Sequence, residues 1–158
     1  MPGVFARPGW LFLAATCVGC TGGMSEGDPQ QRSISDTERR AIEAELGDWG
    51  ATGEIGPITR LSVDSFSVDF DGIAHYVSLR EDGILTEGSM SSDEIEVIKR
   101  LALSRRKMPD RDISSIEQMA DGSVEVTTGD FGTASGELIV LKRHGEVWQV
   151  ESVGSWVE

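Results

Sequence analysis

A chain of 158 residues with 27 Asp and Glu against 14 Lys and Arg carries a formal charge of −13 at pH 7. That excess repels nucleic acid and anionic lipid faces, so it excludes a nucleic-acid-binding role. The length and a hydrophobic content of 39% suit a single domain.

The chain begins with Met1, one cation at Arg7, and the run "PGWLFLAATCVG"; its first acid is Glu26. A charged start, about a dozen apolar residues and small residues at their end are the parts of a secretory signal. The run falls short of the roughly 20 apolar residues a membrane span needs.

Both cysteines lie in "TCVGCTGG", residues 16–23. Gly19 before Cys20 resembles the lipobox of bacterial lipoproteins, where a peptidase cuts just before a cysteine that carries the lipid. A small residue suits a tight peptidase pocket, and a thiolate is the nucleophile that accepts the diacylglyceryl group. Cys17 stands where the family usually has Leu, which leaves room for ordinary cleavage or for Cys17 as the modified residue. C-x-x-C is also a redox or zinc spacing. Zinc needs two further ligands, but the chain has no other Cys, and His75 and His144 are isolated in sequence.

The lipobox resemblance implies a signal peptide over 1–19, lipidated Cys20, and two or three acyl chains holding the protein to a bilayer. Thr21, rather than Asp, follows the cysteine, so the resemblance implies the outer membrane or cell surface over the inner membrane. Losing residues 1–19 takes the formal charge to −14. Residues 21–33, "TGGMSEGDPQQRS", read as a flexible tether. About 13 such residues reach roughly 20 Å. The folded domain then occupies 34–158.

The first helix is expected over Ser35–Leu46. Ser35 and Glu38 form a capping box, Ile42 and Leu46 share a face, and Gly47 suits the left-handed position after the last turn. A Gly-rich loop follows, with Trp49 as its large anchor. "LSVDSFSVDF" and "IAHYVSL" flank Asp71-Gly72, a strong hairpin signal. That turn sets Phe70 against Ile73, Val68 against His75 and Phe66 against Val77 on an apolar side. Ser65, Ser67, Asp69, Ala74, Tyr76 and Ser78 take a wet side.

A second helix starts at the capping box of Ser91 and Glu94. It carries the stripe Ile95, Ile98, Leu101 and Ala102, and ends near Arg106 before Pro109. Four strands follow. Gly122 closes a three-residue loop that sets Ile116 against Val126. A His144-Gly145 turn is expected to set Leu141 against Trp148 and Ile139 against Val150. "LIVL", residues 138–141, is apolar on both sides and marks a central strand.

The order predicts an α+β class: a curved antiparallel sheet, made of a hairpin plus a four-stranded meander, with two helices packed on one face. Over residues 35–156 this order resembles the cone-shaped SnoaL-like (ketosteroid-isomerase, cystatin-like) superfamily. The closing "LIVLKRHGEVWQVESVGSW" resembles the last hairpin of its small secreted members. The family usually shows a further short helix, which the Gly-rich stretch 47–58 does not supply. The resemblance implies acids and bases pointing into the mouth of a cone.

His75 and Asp64 are the candidate catalytic pair, because they share strand parity and a buried imidazole can act as a base near pH 7. The plainer reading is a half-buried histidine at a sheet edge and an exposed Asp at a strand start. "DFDG" lacks the later ligands of a calcium loop. "DFG" at 130–132, in a loop from Gly129 to Gly136, stands without the rest of a kinase. No phosphate loop, G-x-S-x-G or H-E-x-x-H is present. Six of the 14 cations fall in "KRLALSRRKMPDR". Such a patch suits an acidic partner or a lipid headgroup, or simply complements a helix C-terminus. Trp156 suits the core or a ligand platform.

The leading expectation is a membrane-anchored lipoprotein of the cell envelope with a non-catalytic binding domain. Its partners are the bilayer and an envelope protein, and no cofactor or metal is implied. The alternatives are a SnoaL-like small-ligand carrier or enzyme using the cone interior, or an acidic immunity or inhibitor protein covering a basic toxin. An enzyme or carrier calls for a cavity of about 300 Å³ or more with converging polar groups.

Overall fold

A computed structural model describes residues 33–50, 53–129 and 134–157. The signal segment, Cys17, Cys20, residues 21–32 of the tether and the DFG at 130–132 lie outside the described residues.

The local signals with a defined donor and acceptor form as expected. Helix α1 (Asp36–Asp48) is capped by Ser35, whose hydroxyl accepts from the Glu38 N–H while the Glu38 carboxylate accepts from the Ser35 N–H at 2.9 Å. The helix runs through Gly47 to Asp48, and Gly50, at φ +77°, takes the left-handed place expected of Gly47. Trp49, expected to anchor the loop, is instead the C-cap of α1, with its side chain 51% exposed.

Strand β1 (Ile55–Arg60) begins within the stretch expected to be loop and runs past its end. It is an edge strand pairing antiparallel with β2 (Ser65–Phe70), and its register shifts between Ile55 and Ile58, around Pro57. Proline is tolerated at such an irregular edge because the missing N–H costs no ladder bond. Strand β3 (Ile73–Ser78) pairs with β2 in the expected register, Phe66 opposite Val77 and Val68 opposite His75. Asp71 and Gly72 both have positive φ, the pattern of a type I′ turn. The apolar side closes only away from that turn: Phe66, Val68 and Val77 are fully buried, while Ile73 is exposed. Ser65, expected on the wet side, is buried.

The second half contains strand β4 (Leu85–Glu87), helix α2 (Ser92–Arg105) and strands β5 (Ile113–Gln118), β6 (Val124–Thr128), β7 (Ser135–His144) and β8 (Val147–Val157). Helix α2 has the expected Ser91–Glu94 capping box and ends at Arg106. Gly122 is left-handed, at φ +80°, and Ile116 faces Val126. The last hairpin differs. Its loop is Gly145-Glu146, so Leu141 faces Val150 and Arg143 faces Trp148. Gly145 in the first loop position, at φ +65°, suits a type II′ turn. A further shift between Val140 and Leu141 sets Ile139 opposite Val153.

The α+β class holds, and both the hairpin and the meander are present. They lie in two sheets, β1-β2-β3 and β4-β5-β6-β7-β8, with β4 parallel to β5. Each helix covers its own sheet rather than sharing one face. Ile42 and Leu46 of α1 pack with Phe66, Val68 and Val77. Ile95, Ile98 and Ala102 of α2 pack with Ile116, Val126, Ile139, Leu141 and Trp148. Full burial of each such isoleucine contributes about 1.5–3 kcal/mol, so each sheet depends on its helix.

A polar seam joins the two layers. Ser62, Ser65 and Thr86 are buried together, with Thr86 Oγ1 3.1 Å from Ser65 Oγ, and Thr86 N–H donates to Ser65 Oγ at 2.9 Å. No helix among the described residues covers the opposite face of the larger sheet, away from α2. Its cross-strand row runs Glu87, Glu117, Glu125, Val140 and Ser152, and none of these is buried.

Candidate functional site

The hairpin fixes the two expected catalytic residues at different places. His75 stands opposite Val68 and packs edge-on against the Phe70 ring, with centroids 5.8 Å apart. Asp64 precedes β2 at the other end of the hairpin, where its carbonyl accepts from Leu79 N–H. Four residues of strand separate Asp64 from Val68, roughly 13 Å. Asp64 lines a surface groove of about 530 Å³ with Leu79, Arg80, Glu81, Asp82, Glu96 and Lys99. His75 is not among the residues lining it, so this groove does not bring the pair together.

The groove is a charge network that ties the smaller sheet to α2. Arg80 Nη1 lies 3.8 Å from Asp64, Arg80 Nε donates to Asp82 at 3.1 Å, and its Nη2 donates to Glu96. Lys99 reaches both Asp82 and Glu96. Burial opposes ionisation of Asp82, but hydrogen bonds from Arg80, Lys99 and Ile84 N–H outweigh it and hold its carboxyl well below the usual range. Hydrogen bonds from Lys99 and Arg80 likewise lower Glu96. Both cations here are paired with carboxylates, so the network suits a clasp. Lys99 belongs to the basic segment, as do Arg106, which donates to Arg111 O, and Arg111, which pairs with Asp110.

A second groove, of about 380 Å³, lies where α2 meets the β5–β6 and β7–β8 ends. Glu94, Gln118, Asp121, Lys142 and Arg143 surround Trp148. Arg143 donates to Glu94 at 3.0 Å, Lys142 pairs with Glu151 at 2.9 Å, and Gln118 Oε1 accepts from Ser89. A hydrogen bond from the Ser123 hydroxyl lowers Asp121.

Two features carried no local sequence signal. Glu137 is 1% exposed, and its carboxylate accepts from Lys107 N–H at 2.8 Å and Met108 N–H at 2.9 Å, capping the chain as it leaves α2. The second is the glutamate row. Burial, and then the charge of Glu117, raise both Glu87 and Glu125 above the ordinary carboxylate value. Strand alternation could have put each glutamate on the wet face, but only the pairing order makes them neighbours.

Among the described residues no group of His, Cys, Asp and Glu is arranged to hold a metal ion, and no helix is long and apolar enough to cross a membrane. Comparison with protein-family models, curated proteins and solved structures gives no match to this chain.

Proposed function

We propose that this chain is a lipid-anchored protein of a bacterial cell envelope, whose α+β domain binds another envelope molecule. The observation that carries the reading is the N-terminal segment: one cation, a short apolar run, and Gly19 before Cys20 with no acid until Glu26. Acylation of Cys20 anchors the domain, and residues 21–33 hold it off the headgroups. Thr21 after the lipidated cysteine favours the outer membrane or cell surface.

The domain supports binding more than chemistry. His75 and Asp64 stand apart, the two cores are filled by apolar side chains, and the groove cations Arg80, Lys99, Lys142 and Arg143 are each paired with a carboxylate. A second reading, an acidic protein that covers a cationic one, draws support from the glutamates gathered on one sheet face.

Detergent phase partitioning of the expressed full chain tests the anchor. Wild type is expected in the detergent phase and Cys20→Ser in the aqueous phase. Unchanged partitioning of Cys20→Ser contradicts the reading.

A further inference from the structure

Among the described residues, the larger sheet is covered on one side by α2 and open on the other, and the two sides differ in chemistry. Alternation along β4, β5 and β6 brings Glu87, Glu117 and Glu125 into direct cross-strand succession. Neighbouring strands lie about 4.8 Å apart, so three carboxylates line up with no intervening side chain. Like charges directly opposite one another destabilise a sheet. None of the three has an ion pair among the described residues. Lys142 shares this side of the sheet through its position on β7, but it is paired with Glu151.

The row continues into apolar surface. Val140 stands opposite Glu125, Leu138 lies two residues away on the same side, and Trp156 follows opposite Gly136. These three are half-buried, and neither core cluster includes them. The face is therefore amphipathic in plan, with anionic strands at one edge and an apolar strip beside them.

From this arrangement we infer that the open face of the β4–β8 sheet docks a cationic amphipathic segment of a partner protein, with its Lys or Arg on Glu87, Glu117 and Glu125 and its apolar side chains on Leu138, Val140 and Trp156. The inference rests on the binding half of the proposed function and not on the lipid anchor. Charge decides the occupant. The chain's own tether has the wrong sign, with Glu26 and Asp28 against Arg32. A second copy placed face to face sets glutamate row against glutamate row. A cationic partner relieves the repulsion where these two cannot, and complementary potential of this kind sets both encounter rate and specificity. Burial, and then the Glu117 charge, raise Glu87 and Glu125, and a cation seated on the row opposes the second of these.

The test uses the full chain carrying Cys20→Ser, so that no lipid enters, and labelled synthetic peptides read by fluorescence anisotropy. A peptide of alternating Lys and Leu is expected to bind, an alternating Lys and Ser peptide about tenfold more weakly, and an alternating Glu and Leu peptide not at all. Glu87→Gln/Glu117→Gln/Glu125→Gln is expected to weaken the Lys/Leu peptide by about tenfold or more. That variant removes repulsion, so its melting temperature is expected to hold or rise, which separates lost binding from lost fold. Glu43→Gln/Asp48→Asn/Glu54→Gln removes the same charge from exposed sites elsewhere and is expected to bind as wild type does. No binding of the Lys/Leu peptide, equal binding by the glutamate-row variant, or equal weakening by the control variant overturns the inference. Each of these outcomes leaves the anchoring reading untouched.

Discussion

Arg60 Nη2 donates to Glu38 Oε2 at 2.9 Å, and the same oxygen accepts from the Ser35 N–H and hydroxyl at 2.9 and 2.8 Å. One carboxylate oxygen therefore closes the capping box of α1 and ties that helix to β1. Burial opposes ionisation of Glu38, but the hydrogen bonds from Ser35 and Arg60 outweigh it and bring the carboxyl from 4.5 to about 2.

Glu38→Ala removes both the cap and the ion pair and is expected to cost about 2–3 kcal/mol in urea denaturation. Glu38→Gln keeps a side-chain acceptor and loses about half as much. A folded value below the unfolded one means that the stabilisation is complete above pH 4.5 and is lost as pH falls toward about 2. Melting temperature against pH is expected to fall through that window in the wild type and to fall less in Glu38→Gln.

The glutamate row predicts the opposite slope. Glu87 and Glu125 are raised when folded, so the folded state holds protons more tightly than the unfolded chain just above pH 4.5. Stability therefore falls as pH rises through that window. Glu117→Gln removes the charge that faces both. It is expected to stabilise the protein by about 0.5 kcal/mol at pH 7 and to shrink this upper limb in part, the part due to burial remaining, while the acid limb of Glu38 stays in place.

The local devices of this fold were legible in the sequence, and the non-local ones were not. Both capping boxes, the Asp71-Gly72 turn and the Gly122 loop act over two to four residues, so residue identity nearly determines them. Strand β1 escaped because its pairing tolerates Pro57 at a register shift, and β4 because three residues carry no period. The last hairpin slipped because Gly145 can serve as either loop residue; the observed choice kept the same side chains facing inward up to the shift beside Leu141. His75 and Asp64 do share strand parity, but parity does not fix distance along a strand.

Glu137 is the buried counterpart of Glu38. Its carboxylate holds two consecutive N–H groups, of Lys107 and Met108. Glu137→Ala leaves those donors without their acceptor and is expected to cost about 3 kcal/mol. Amide hydrogen exchange at Lys107 and Met108 is expected to accelerate ahead of the core strands; unchanged protection there contradicts the capping role.

Asp82 joins Arg80 to Lys99 across the boundary between the smaller sheet and α2. Because the network is partly exposed, Asp82→Asn is expected to cost only about 1 kcal/mol, a loss that shrinks in about 1 M salt. A cost independent of salt contradicts the electrostatic account.

The account depends first on what happens to the sulfur of Cys20. Mass spectrometry of the protein purified from the membrane fraction of cells expressing the full chain is expected to show a chain that begins at Cys20 and carries acyl groups. An unacylated chain, or one that starts at any other residue, contradicts it.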